Sequence, residues 1–182
     1  MQANFLRSRI YFTVIVTLAI WGLLIWNYFH GGVPSHHILA REDLPSFSNW
    51  WGALLLPLLT WFLLYRIQRR LIKTEGKSPE TLPIKVWMAF VVSLLFGIML
   101  AVFFSFGISD LPGHMLLSIL AIALFFPVYR SECLLGFVIG MTYTFGAVLP
   151  MLIGSILILS GTFIHLIIRP AILYVVSLFS RK

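Results

Sequence analysis

Charged residues are scarce in this chain of 182 residues, where they make up 10% of the composition and include only six Asp and Glu. Hydrophobic residues make up 60%, and the mean hydropathy is +0.98. Too little polar surface remains to coat a soluble globule of this size. The composition therefore predicts an all-α integral membrane protein, because helices satisfy their own backbone hydrogen bonds in lipid.

Cysteine and catalytic motifs are scarce as well. Cys133 is the single cysteine, which excludes an intrachain disulfide and the Cys-rich zinc frameworks. No GxSxG, HExxH or glycine-rich phosphate loop occurs in the sequence. The formal charge is +7, but the basic residues lie in short stretches between apolar runs. This pattern is typical of a membrane topology signal and argues against a nucleic-acid partner.

Apolar runs long enough, or nearly long enough, to cross a hydrocarbon core of about 30 Å recur six times along the chain. We predict a single polytopic domain over residues 1–182, with spans at about 10–29, 50–66, 86–107, 112–129, 133–147 and 151–169. With these limits the spans contain no Asp, Glu or Lys. Ion-coupled transport usually needs an intramembrane ionisable residue, so the pattern argues against it.

Two boundaries allow alternative interpretations. The segment Gly146-Ala147-Val148-Leu149-Pro150 is either a loop between the last two spans or part of a broken helix. The apolar tail 171–179 either ends a long bent helix or lies at the membrane interface.

The basic residues predict the orientation of the bundle. With the N-terminus inside, every Lys and Arg except Arg41 falls on the cytoplasmic side. Both termini and the loop 67–85 are then cytoplasmic, and the loop 30–49 is extracytoplasmic. We predict a multi-pass protein of the plasma membrane, of the bacterial inner-membrane type, in contact with membrane lipids.

Two features inside the spans carry predictions of their own. Gly136 and Gly140, followed by Thr144, are spaced so that another helix can approach closely, and we expect an internal packing seam rather than a dimer contact. His165 is expected to be a packing histidine that accepts a hydrogen bond from a hydroxyl group on Thr142, Tyr143 or Ser160.

Most of the chemically versatile side chains fall in the two predicted outer loops. A short interfacial helix over residues 36–47 fits the apolar pattern of the first loop. Asp110 and His114 would share a helix face if the fourth span began near Asp110, although Pro112 and Gly113 weaken that premise. The candidate ligand-binding residues are His30, His36, His37, Arg41, Asp110 and His114.

The sequence leaves three functional hypotheses open. In the first, the bundle binds or transports a small neutral or amphiphilic solute at an extracytoplasmic site. In the second, the protein is a hydrolase that acts on a lipid at the outer leaflet. A divalent metal such as zinc would then be held by His36, His37, Asp110 and His114, with Glu42 or Asp43 as the base. The catalytic candidates are His36, His37, Glu42 and Asp43. The third hypothesis is an accessory subunit of a membrane complex.

Overall fold

The computed structural model describes residues 2–33, 35–37, 46–75, 82–108 and 110–179. The described residues form seven α-helices, which are α1 (Gln2–Phe29), α2 (Gly52–Glu75), α3 (Ile84–Ser105), α4 (Asp110–Phe125), α5 (Ser131–Phe145), α6 (Val148–Phe163) and α7 (Arg169–Phe179). A 3₁₀ turn at Asn49–Trp51 leads into α2, and a π-helical turn at Ile164–Ile168 joins α6 to α7. The predicted helical character is confirmed for this part of the chain.

Four helical segments among the described residues are long and apolar enough to cross a membrane. They are Phe5–Phe29, Asn49–Thr74, Ile84–Ser105 and Val148–Leu178. The helices α4 and α5 are apolar but have 16 and 15 residues, which corresponds to about 24 and 22 Å. The structure therefore describes a membrane protein with four full-length candidate spans and two shorter apolar helices.

Glycine and proline explain where several helices begin and end. Pro83 directly precedes α3, and Pro150 lies in the first turn of α6, where a missing N–H costs no hydrogen bond. Gly146 has a φ of +69° and separates α5 from α6. The chain therefore forms two helices joined by a turn, which confirms the loop interpretation of this segment.

The loop between the second and third spans is shorter than predicted. Helix α2 continues to Glu75, and α3 begins at Ile84, so much of the predicted loop 67–85 is helical. Arginine and lysine are good helix formers, and their long stems let the charged groups reach past the hydrocarbon region. The end of the apolar run at residue 66 therefore does not coincide with the end of the helix.

Helix α5 occupies the centre of the bundle, with 11 of its 15 residues buried. It packs most extensively against α3. A Cβ atom added at Gly136 or Gly140 would collide with the backbone carbonyl oxygen of Phe90 or Leu94, respectively, both in α3. From the other side, a Cβ atom at Gly97 would lie 2.7 Å from the carbonyl oxygen of Phe137. The predicted internal seam is confirmed, and Thr144 is half-buried beside it.

The C-terminal apolar tail continues the last span. Helix α6, the π-helical turn and α7 form one apolar segment, Val148–Leu178, of 31 residues. The side chains of α7 from Ile172 to Leu178 are exposed in the isolated chain. Of the two interpretations, the structure confirms a long helix, and the π-helical turn accounts for its local irregularity.

The first predicted outer loop contains a β-hairpin. Strands β1 (Ser35–His37) and β2 (Ser46–Ser48) pair antiparallel, with His36 opposite Phe47. Gly31 and Gly32 have φ values of +113° and +96°, which turn the chain sharply after α1. The short interfacial helix that the apolar pattern allows is absent from the described ends of residues 36–47, which pair as β-strands. Val33 packs against the buried core.

Candidate functional site

The described outer candidates lie on exposed helix ends. The Nδ1 atom of His30 is 2.9 Å from the carbonyl oxygen of Trp26, and the two rings stack with centroids 3.9 Å apart. The Nδ1 atom of His114 is 2.7 Å from the backbone carbonyl oxygen of Asp110. In each case a ring nitrogen donates to the preceding turn of its own helix, which leaves Nε2 as the nitrogen available for a ligand.

Asp110 and His114 do share one face of a helix. Helix α4 begins at Asp110, so the two residues are one turn apart, as the prediction required. Pro112 and Gly113 do not break the helix, because proline is tolerated in a first turn. Among the described residues, however, no group of three or more His, Cys, Asp or Glu side chains could hold a metal ion.

The other outer candidates cannot be placed beside this pair. Arg41, Glu42 and Asp43 lie outside the described residues. For His36 and His37 only the backbone is described, as part of β1. The predicted outer site, including its metal ligands, therefore stays a prediction.

The structure places a partly buried ion pair at the other end of the bundle. The Nη2 atom of Arg70 in α2 donates to Oε1 of Glu132 in α5 over 2.9 Å. The Glu132 side chain is 1% exposed, and that of Arg70 is 34% exposed. The second carboxylate oxygen of Glu132, Oε2, is buried and has no hydrogen-bond partner among the described residues. A carboxylate has room for about four hydrogen bonds, so this oxygen is free to accept one from a ligand.

Arg9 brings a second cation to the same end of the bundle. Its guanidinium carbon lies 3.8 Å from the centre of the Trp61 ring, and its Nη1 atom is 3.4 Å from Oε1 of Gln68. The Nε atom is buried and has no partner within the described part of the chain. Cation–π contact with Trp61 explains how α1 holds this charge against α2.

Glu132 and Arg9 line one cavity of about 90 Å³. This volume is several times the roughly 10–15 Å³ that holds one water molecule. Helices α1, α2, α3 and α5 and the residue Leu82 before α3 form its walls. The remaining lining residues are apolar except for Ser8: Phe5, Ser8, Phe12, Leu64, Ile67, Leu82, Val86, Trp87, Phe90 and Leu135. The arrangement is an apolar pocket with two charged groups of opposite sign.

Helix α5 contains an acidic residue, Glu132, that the predicted fifth span left out. The predicted fifth span began at Cys133, whereas α5 begins at Ser131 and buries Glu132 in its first turn. A serine and a glutamate directly before an apolar run are typical of a helix start, and the N-terminal dipole favours the acid there. That signal could have identified the residue as helical, but not its burial.

His165 makes a different contact from the predicted one. Its Nδ1 atom donates to the backbone carbonyl oxygen of Ala123 in α4 over 2.9 Å. Its Nε2 atom lies 3.4 Å from Nη1 of Arg169. The π-helical turn places His165 at the C-terminal end of α4, where carbonyl oxygens lack helical partners. The expectation of a packing histidine is confirmed, but its partner is not Thr142, Tyr143 or Ser160.

A second cavity, of about 130 Å³, lies between α3, α4, α5 and α6. Its walls are apolar apart from Ser93 and Cys133. It contains no charged side chain and so offers less to orient a ligand than the cavity beside Glu132.

Comparison with known protein families, curated proteins and solved structures finds no match to this chain. Function is therefore inferred from the side chains and their geometry.

Proposed function

We propose that this protein binds or transports a small neutral or amphiphilic solute, and that the solute enters the cavity between α1, α2, α3 and α5. The observation that carries the proposal is the carboxylate of Glu132, which is 1% exposed and has one oxygen without a partner in the described part of the chain. Ionisable groups are costly within a membrane domain and commonly mark a ligand or ion pathway.

The ion pair with Arg70 alone does not offset the desolvation cost of burying the Glu132 carboxylate. A buried pair recovers its desolvation cost only when the remaining lone pairs and protons are also satisfied. Here one oxygen of Glu132 and the Nε atom of Arg9 are left over, and both residues border the same cavity. Apolar walls with a few polar groups are the usual design of a small-molecule site.

We also propose that the protein crosses the plasma membrane six times, with both termini in the cytoplasm. The basic residues support this orientation, and the order of α1 to α6 requires each helix to alternate in direction if each crosses. His30 directly follows α1 and is 21 residues after Arg9, which corresponds to about 32 Å along the helix. The cavity would then open toward the cytoplasmic side, and the predicted outer residues would lie at the opposite mouth.

The other two hypotheses stay predictions. The hydrolase needs His36 or His37 beside Asp110 and His114, and the side chains of the first two are not described. An accessory subunit would need a surface for a specific partner. The binding hypothesis is favoured by the buried atoms of Glu132 and Arg9 that have no partner among the described residues, because a ligand in the cavity could pair with them.

Photo-crosslinking in lipid nanodiscs tests the proposal. A neutral monoacylglycerol that carries a diazirine in its chain is irradiated with the protein, and the adducts are mapped by peptide mass spectrometry. We expect adducts at cavity residues such as Phe12 and Phe90, in excess over lipid-facing positions. Adducts distributed evenly over the outer surface of the bundle would contradict a site in this cavity.

A pair of variants on α1 supplies the control. Ser8→Trp places a large ring at the cavity, where Ser8 is an exposed lining residue. Leu18→Trp places the same ring at an exposed position away from the cavity. We expect cavity adducts to fall at least five-fold in the first variant and to persist in the second, with thermal unfolding used to check that both variants are folded.

A further inference from the structure

We infer that the cavity beside Glu132 takes the head group of a zwitterionic amphiphile, with an ammonium group at Glu132 and an anionic group at Arg9. The inference rests on the proposed function, because it specifies the chemical class of the solute. It is carried by the two opposite charges that border a single apolar cavity, each with a hydrogen-bonding atom left unused.

The carboxylate of Glu132 can accept a further hydrogen bond from a ligand. Its Oε1 atom is used by Arg70 at 2.9 Å, and its Oε2 atom is buried without a partner among the described residues. A primary ammonium group has three N–H donors and forms charge-assisted hydrogen bonds with carboxylates. A quaternary ammonium group has no N–H and could only contribute its charge.

The guanidinium group of Arg9 can donate a further hydrogen bond to a ligand. Its Nη1 atom reaches Gln68 at 3.4 Å, whereas its Nε–H is buried and unused within the described chain. Phosphate and carboxylate groups are the usual partners of a guanidinium group. Trp61 and Gln68 hold Arg9 from the α2 side, which orients the charge before any ligand arrives.

The balance of charges selects a zwitterion over a simple ion. Arg70 already neutralises Glu132, so Arg9 leaves the site with an excess positive charge. A cationic ligand would meet that charge, and an anionic ligand would leave Oε2 of Glu132 without a donor while adding a like charge beside it. A ligand with both groups satisfies both leftover atoms and adds no net charge to a poorly solvated site.

Aromatic side chains complete the site for an amphiphile. Phe90 packs edge to face against Phe12 and against Trp87, with ring centroids 5.8 and 6.0 Å apart. All three line the cavity. Aromatic faces attract ammonium groups, and their apolar area suits the methylene groups next to a head group.

Three photoactivatable phospholipids test the inference in nanodiscs of otherwise identical composition. They carry the same diazirine acyl chain and differ in the head group, which is ethanolamine, choline or glycerol. We expect cavity adducts from phosphatidylethanolamine to exceed those from phosphatidylglycerol at least five-fold, with phosphatidylcholine between them. Equal labelling by the three lipids would overturn the inference, and labelling by the neutral monoacylglycerol would still support the proposed function.

Side-chain variants connect the preference to the two charges. Glu132→Gln keeps the shape of the side chain and should bring labelling by phosphatidylethanolamine down to the level of phosphatidylcholine. Arg9→Gln should lower labelling by all three phospholipids. If both variants keep the parent's preference for ethanolamine, the two side chains do not read the head group and the inference is wrong.

Competition with soluble glycerophosphoethanolamine, a phosphodiester with one negative and one positive charge, distinguishes the two sources of such a head group. Loss of the lipid adducts when the soluble compound is added would identify a free zwitterion as an occupant. Persistence of the adducts would identify the membrane lipid itself. Either result supports the inference when the ethanolamine preference is present.

Discussion

At the scale of single residues, Glu132 and Arg70 form an ion pair that their places in the sequence do not indicate. In sequence, the two are ordinary members of charged segments beside apolar runs. In the structure they meet over 2.9 Å although 62 residues separate them, and only Arg70 keeps access to solvent. Removing the arginine would leave a buried carboxylate without its only described partner.

We predict that Arg70→Ala lowers the free energy of unfolding by about 2–3 kcal/mol. Breaking a fully buried pair typically costs about 3–5 kcal/mol, and the partial exposure of Arg70 reduces this figure. Chemical unfolding in detergent micelles provides the measurement. Arg69→Ala, at an exposed neighbouring position, should change the value by no more than about 0.5 kcal/mol. Adding Glu132→Gln to Arg70→Ala should restore part of the loss, and no restoration would argue against the pair.

At the scale of helices, the seam between α3 and α5 depends on the absence of side chains. The glycine spacing in α5 predicted a close approach, but the sequence did not identify α3 as the partner or Gly97 as the matching residue. Apolar side chains occur on every face of each span, because positions that face lipid and positions that face protein are both hydrophobic. The periodicity that identifies the buried face of a soluble helix is therefore weak here.

We predict that Gly140→Ala destabilises the protein by about 3 kcal/mol. The new methyl group would collide with the backbone carbonyl oxygen of Leu94, which cannot rotate away as a side chain could. Gly22→Ala is the matched control, because nothing lies within 4 Å of a Cβ atom there. It should be neutral or stabilise by up to about 1 kcal/mol. Thermal unfolding in the same detergent compares the two variants, and equal midpoints would show that the seam is looser than described.

At the scale of the whole molecule, the orientation in the membrane decides which compartment the cavity faces. We predict that a cysteine introduced at Ile108, in a Cys133→Ser background, reacts with an impermeant maleimide in whole cells. A cysteine at Lys73 should react only after the cells are permeabilised. Both positions are exposed. Lys73 lies in the last turn of α2 and Ile108 just after the end of α3, so the two are at opposite ends of the bundle. The reverse pattern would invert the topology and place the cavity on the extracytoplasmic side.

The sequence by itself determined that lipid surrounds this protein and where its helices approximately lie along the chain. Insertion into lipid depends on hydropathy summed over about 20 neighbouring residues, and that sum can be read along the chain. Helix starts and ends near Pro83, Gly146 and Pro150 could be read for the same reason, since they depend on the local backbone.

Only the tertiary structure decided which side chains meet. The ion pair between Arg70 and Glu132, the contact of Arg9 with Trp61 and the cavity beside them depend on how α1, α2 and α5 pack. Helix α5 is far from α1 and α2 in sequence, and the apolar surfaces of the three helices could pack in many registers at similar hydrophobic energy. Close steric fit at glycines and the pairing of a few buried charges select one register, and both are properties of the assembled bundle.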